Sequence, residues 1–149
     1  MRIVLQRVNH ASVRVEGKIV SEIEKGFLIL LGVEDEDNGE DIQWLCKKVA
    51  NLRVFSDSDG KMNLSAQDVG AKMLVVSQFT LYASTKKGNR PSFIKSAKPQ
   101  YAEKCYEEFC SELMGHGFEV GKGIFGADMK VSLENDGPVT IVIDSKNKE

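Results

Sequence analysis

A chain of 149 residues, 42% hydrophobic and 28% charged, carries enough apolar material for one globular domain, since domains most often run to about 100–150 residues. No apolar run approaches the ~18 residues of a membrane span, and the opening residues 1–8, with Arg2 and Arg7 inside an alternating pattern, do not read as a targeting segment. A single domain over 1–149, cytoplasmic and without a membrane partner, is expected. Three cysteines, Cys46, Cys105 and Cys110, are odd in number and lack a C-x-x-C pairing, which argues against a disulfide framework or a zinc site and for core positions in a reducing compartment. The formal net charge is -2, but no acidic residue falls between Asp68 and Glu103, where Lys72, Lys86, Lys87, Arg90, Lys95 and Lys98 all lie. Such a patch favours phosphate through counterion release. A solvated loop kept soluble by its lysines is the plainer reading of the same residues.

In chain order, strands are predicted over 2–8, 12–15, 18–23 and 27–33, with Glu16-Gly17 as a tight turn, together forming an antiparallel meander. A helix is predicted over 40–52, where Ile42, Leu45, Cys46, Val49 and Leu52 recur at helical spacing; Asn38 or Asp41 would help its start, and Trp44 lies off the stripe. Beyond the turn-like residues 56–60, the apolar run 73–76 reads as a buried strand that delivers Ser77 at its end. Residues 83–98 follow neither period, and a stretch of that length without a pattern is uncommon in compact domains unless it is functional or mobile. Pro99 suits the first turn of a second helix, whose stripe of Tyr101, Cys105, Phe109 and Leu113, with Tyr106 beside it, is read as core, and Gly115 and Gly117 stop it. Strands over 130–134 and 139–144 flank a turn. Helices segregated from antiparallel strands indicate an α+β domain.

The usual hydrolase equipment is missing. There is no G-x-S-x-G elbow and no H-E-x-x-H, and the two histidines, His10 in a turn region and His116 near a helix end, read as structural. Without a base, a Ser77 or Thr80 hydroxyl is a weak nucleophile near neutral pH. Asp57, Asp59 and Gly60 match part of a calcium loop without its terminal Glu, and read as a turn. No metal and no cofactor is expected.

Two separated stretches, Ser77-Gln78-Phe79-Thr80-Leu81 and Asn135-Asp136-Gly137-Pro138-Val139-Thr140, resemble the paired signatures of the D-aminoacyl-tRNA deacylases, the D-tyrosyl-tRNA deacylase family. The similarity runs from the opening Arg2-Ile3-Val4-Leu5-Gln6-Arg7-Val8 through Gly88-Asn89-Arg90-Pro91-Ser92-Phe93 to the Gly-Pro segment. It implies a small antiparallel barrel-like sheet with two packed helices, and hydrolysis of the ester of D-aminoacyl-tRNA with L-aminoacyl-tRNA spared. Ser77, Gln78, Phe79 and Thr80 would then line the catalytic site. Gly137 and Pro138, joined by a bond held cis, would read the handedness of the amino acid inside the partner's site, so that a homodimer has composite sites. A filter that works by rejection would also admit glycine, and the family is associated with clearing glycine mischarged on alanine tRNA. By the same resemblance Phe125 and Met129 would pack on the terminal adenosine; core packing is their other reading.

The chemistry suits that implication. An aminoacyl ester is already activated and carries a neighbouring ribose hydroxyl, so the protein need supply only geometry and main-chain donors, such as the N–H groups of Phe79 and Thr80, for the oxyanion. An apolar pocket discriminates small steric differences by only about 1–3 kcal/mol, so rejection of an L side chain calls for something stiff. Sequence alone points to a trans Gly137-Pro138 bond, since only about 5–6% of X-Pro bonds in folded proteins are cis; the cis form is implied by the resemblance. Lys86, Lys87 and Arg90 are available to tRNA phosphates, and no DNA partner is expected. Arg7 would brace the Gly-Pro loop or form an ordinary ion pair on a sheet face. Two other functions fit the same residues: a non-catalytic RNA-binding module, and a conventional serine or threonine hydrolase of small esters.

Overall fold

A computed structural model describes residues 1–149. In chain order it contains β1 (Arg2–Val15), β2 (Lys18–Ile23), β3 (Gly26–Gly32), α1 (Gly39–Asn51), β4 (Phe55–Ser56), β5 (Met62–Leu64), β6 (Lys72–Ser77), a 3₁₀ turn (Phe79–Tyr82), α2 (Pro99–Gly115), β7 (Val120–Lys122) and β8 (Lys130–Asp144). β1 is the hub of the sheet. Its first half pairs antiparallel with β3, its second half with β2, and nearly its whole length with β8.

The α+β class and the two helices agree with the expectation from sequence, but the sheet is mixed rather than antiparallel. β3 pairs with β6, and β6 with β7, in parallel. The cause is the connections: the path from β3 to β6 carries α1, and the path from β6 to β7 carries α2, so each crossover returns the chain to start the next strand in the same direction. The expected meander is likewise replaced by the order β2-β1-β3-β6-β7, and β2 approaches β6 and β7 to nearly close a barrel.

This topology explains the apolar run before Ser77. Met73 and Val75 of β6 face the larger core beneath the helices, with Ile3, Leu5, Phe27 and Ile29, whereas Leu74 and Val76 join Val8, Ala11, Val13, Ile23 and Leu28 in a second cluster inside the sheet. A strand covered on both faces is apolar throughout.

The helices close the larger core. At the start of α1, Asn38 Oδ1 accepts the Glu40 N–H at 2.9 Å and Asp41 Oδ2 accepts the Asn38 N–H at 2.9 Å, a reciprocal cap that uses both of the expected residues. Ile42, Leu45, Cys46 and Val49 are buried against α2, which starts with Pro99 and buries Cys105, Tyr106, Phe109, Cys110 and Leu113. All three cysteines are free and buried. Burial pushes the Cys110 thiol up to about 12, and raises Cys46 and Cys105 as well, so they pack as small apolar groups. No helix is long and apolar enough to cross a membrane.

Two predicted strand pairs fuse. β1 runs unbroken through the exposed Asn9 and His10, its pairing with β8 shifting around Val8. β8 is likewise one strand: Gln6 pairs with Thr140 and Val8 with Asn135, so that residues 136–139 bulge out opposite Arg7 alone.

Candidate active site

A cleft of about 640 Å³ opens where β6 ends. Ser77, Gln78 and Phe79 form one wall, Phe125, Ala127 and Met129 face them from the segment before β8, and Phe93, Ala97 and Pro99 close the third side. Of the candidate residues, the fold brings Ser77, Gln78, Phe79, Phe125 and Met129 to this cleft; Thr80 follows them immediately on the 3₁₀ turn but is not among the lining residues. Phe125 is half-buried, its ring centroid 6.1 Å from that of Tyr106, whose hydroxyl donates to the Val75 carbonyl at 2.8 Å. Phe125 and Met129 therefore both line the cleft and pack on the core.

The 3₁₀ turn was not legible in the sequence, and it sets the polar geometry of this wall. Its internal hydrogen bonds begin with the Leu81 N–H on the Gln78 carbonyl at 3.2 Å and end with the Ala83 N–H on Thr80 at 3.0 Å. Gln78, at the N-cap, supplies no side-chain cap. The Phe79 and Thr80 N–H groups thus precede the bonded ladder and have no acceptor in the turn, as the first donors of any helical turn do. The turn sits tight on β3: a Cβ at Gly32 would lie 3.0 Å from Leu81 Cβ, 3.1 Å from the Gln78 carbonyl oxygen and 3.2 Å from Tyr82 Cδ2. Only glycine lets the strand and the turn approach so closely.

No histidine or carboxylate lines the cleft, and its one lysine, Lys98, bonds neither Ser77 nor Thr80. Thr80 Oγ1 accepts from Gln78 Nε2, and neither Ser77 nor Thr80 bonds a histidine, lysine or carboxylate. His10 lies 3.3 Å from Glu22 on the far strands, and His116 caps α2 beside Glu112 at 3.5 Å. Tyr106 is held protonated by burial.

The Gly137–Pro138 bond is cis, and Gly137 has φ +133°. Both residues are exposed, and neither lines the cleft of its own chain. Arg7, 7% exposed, fixes the bulge from beneath: its Nε donates to the Asp136 carbonyl at 3.0 Å and lies 3.2 Å from the Asp136 carboxylate, and Nη1 donates to the Val54 carbonyl. Arg7 is therefore the brace, and its ion pair is part of that brace. Asn135 Oδ1 accepts the Val139 N–H at 3.1 Å, and its Nδ2 reaches Thr140 Oγ1 at 3.1 Å, closing the base of the bulge.

Residues 83–98 fold back over the turn. Ser84 and Ser92 exchange N–H and carbonyl bonds at 2.8 and 2.9 Å, so Lys86, Lys87 and Arg90 occupy an exposed tip, none of them in an ion pair. Phe93 meets Phe79 edge-on at 5.1 Å between centroids, and Ser96 Oγ donates to the Phe79 carbonyl at 2.9 Å. Sequence reasoning missed Phe93, Ser96 and Ala97 as cleft residues. The missing period of 83–98 was the available signal, but it marks a loop without saying where the loop lands.

The family model for D-Tyr-tRNA(Tyr) deacylase matches residues 4–144. The chain is 61% identical over 150 residues to a D-aminoacyl-tRNA deacylase of Bacteroides thetaiotaomicron and 60% identical over 150 residues to one of Flavobacterium psychrophilum, with 100% of each chain covered in both cases. Among solved structures it is similar to a c-Myc DNA unwinding element binding protein, at TM-score 0.91 and 40% identity over 97% of this chain and 98% of that one. It shares its fold with a probable eukaryotic D-amino acid tRNA deacylase, at TM-score 0.82 and 16% identity over 95% and 97% of the two chains. With the family model matched over nearly the whole chain and full-length relatives about 60% identical, the chain belongs to the D-aminoacyl-tRNA deacylase family, a family of hydrolases.

Proposed function

We propose that the protein cuts the ester of D-aminoacyl-tRNA by substrate-assisted hydrolysis, releasing free D-amino acid and tRNA. The observation that carries this reading is the pair of Phe79 and Thr80 N–H groups, without an acceptor in their turn, beside a cleft lined by no histidine and no carboxylate. Water attacks the ester carbonyl carbon, and the carbonyl oxygen, gaining charge, is received by those two donors. The 2′-hydroxyl of the terminal ribose orients and activates the water; the C–O bond then breaks, and the 3′-oxygen leaves with a proton. Phe125 and Met129 pack on the terminal adenine, a contact that in other proteins contributes roughly 1–3 kcal/mol per base. Lys86, Lys87 and Arg90 meet tRNA phosphates. The Gly137 and Pro138 carbonyls hold the substrate's amino group and leave no room for an L side chain, which is specificity by exclusion. Glycine, with no side chain to reject, passes the same filter, so glycine mischarged on alanine tRNA is a second substrate.

Because Gly137 and Pro138 stand outside the cleft of their own chain, the filter comes from a second copy, and the working unit is a cytoplasmic homodimer with two composite sites. A reading as a DNA-binding protein draws on the description of the 40% identical solved relative and on the same exposed basic tip. Substrate chemistry separates the two. D-tyrosyl-tRNA carrying a 2′-deoxy terminal adenosine, compared with its ribose counterpart, should be bound but released far more slowly, and Thr80→Ala should keep most of the turnover. Equal release from both substrates, or loss of turnover in Thr80→Ala, would reject substrate assistance.

A further inference from the structure

Arg2 opens β1, far in sequence from the cleft, and its guanidinium reaches the back of the 3₁₀ turn. Nη1 donates to the Leu81 carbonyl at 2.8 Å, while Nε and Nη2 donate to Asp144 Oδ2 at 2.9 and 2.8 Å. The guanidinium carbon stands 4.8 Å from the centroid of the Tyr82 ring. Asp144 is itself fixed, because its Oδ1 accepts the Lys146 N–H at 2.9 Å. One planar fork therefore ties the last two residues of the turn to the end of the β1–β8 pair at which Arg2 and Asp144 stand opposite each other.

We propose that Arg2 is a positioning residue for hydrolysis: by holding the Leu81 carbonyl and the Tyr82 ring, it sets the orientation of the turn and with it the aim of the Phe79 and Thr80 N–H groups. The inference rests on the reading of those N–H groups as oxyanion donors. Lysine cannot replace the fork. A single ammonium can pair with Asp144 or reach the Leu81 carbonyl, but it lacks the fixed set of parallel donors that serves both at once and stacks on the ring. The misplacement need only be small, since about 1 Å at a reacting geometry can cost as much as about 10²-fold in rate. Arg2 touches neither cleft nor substrate, so its loss leaves the binding contacts in place and lowers kcat with KM little changed.

The test is steady-state hydrolysis of D-tyrosyl-tRNA by the full-length protein and by Arg2→Lys, Arg2→Met, Asp144→Asn and Phe79→Pro, with thermal unfolding midpoints recorded and rates taken well below the lowest. The expected result is a kcat about 10–100-fold lower in Arg2→Lys and Arg2→Met at similar KM, with a smaller loss in the same direction for Asp144→Asn. A purely structural role would lower the unfolding midpoint and leave kcat per folded molecule unchanged, and that outcome overturns the proposal. Wild-type kcat in the Arg2 variants alongside a slow Phe79→Pro rejects the clamp and leaves the oxyanion reading standing. A Phe79→Pro variant as fast as wild type rejects the oxyanion reading, and the clamp with it. Should the Arg2 variants fail to fold, Asp144→Asn, which removes the anchor but keeps the shape, decides alone: an unchanged kcat overturns the clamp.

Discussion

Phe79 brings two separable groups to the cleft, a ring that meets Phe93 and an N–H that has no acceptor in its turn. Proline at the first position of a helical turn removes only the N–H, because its φ suits that position. Phe79→Pro therefore deletes ring and donor together, while Phe79→Ala deletes the ring alone. Relative to Phe79→Ala, we expect Phe79→Pro to lose about 10²–10³ in kcat, as removal of one oxyanion donor does elsewhere. Equal rates in the two variants would show that the N–H does no chemistry. At this level the sequence was legible in part. Ser77, Gln78 and Phe79 were found through their motif, and Arg7 through its place in the opening strand. Arg2 and Gly32 were not, because their roles are made by contacts with residues far along the chain, and nothing in their own neighbourhoods marks them.

Among the elements, the folded-back segment 83–98 joins a basic tip to the wall of the cleft through Ser96 and Phe93. Lys86, Lys87 and Arg90 have no acidic partner, so their charge is available to a polyanion. Changing all three to Gln should weaken tRNA affinity and flatten its dependence on salt, by about one unit of log–log slope for each residue that touches a phosphate. Affinity measured across a salt series checks this, and an unchanged slope would assign the tip to solubility alone. The helices and the strand before Ser77 were legible because apolar period and capping residues are local. The parallel pairing of β3, β6 and β7 was not, since strand direction is decided by the crossovers that carry α1 and α2. The 3₁₀ turn also escaped, being too short to carry a period of its own.

Across the whole molecule, two carboxylates tie the chain's end to its beginning. Burial alone would raise the Asp144 carboxyl, but the Lys146 N–H and the Arg2 guanidinium outweigh it, and its pKa is lowered. Asp41 behaves alike: burial opposes ionisation, and Lys146, Ser145 and the Asn38 N–H overcome it. Groups depressed in the folded state stabilise it at pH values above their unfolded pKa of about 3.9, and that contribution is lost as pH falls through the folded values. Acid denaturation of wild type should thus be steeper below about pH 4 than that of an Asp144→Asn variant, read by urea titrations at several pH values. Parallel pH profiles would show that Asp144 does not contribute.

The most direct measurement follows tyrosine released from D-tyrosyl-tRNA and L-tyrosyl-tRNA, matched in tRNA and salt. Rapid release from the D form with the L form left intact is the expected result. Release of both at similar rates, or of neither while the tRNA stays bound, would contradict a chirality-reading hydrolase.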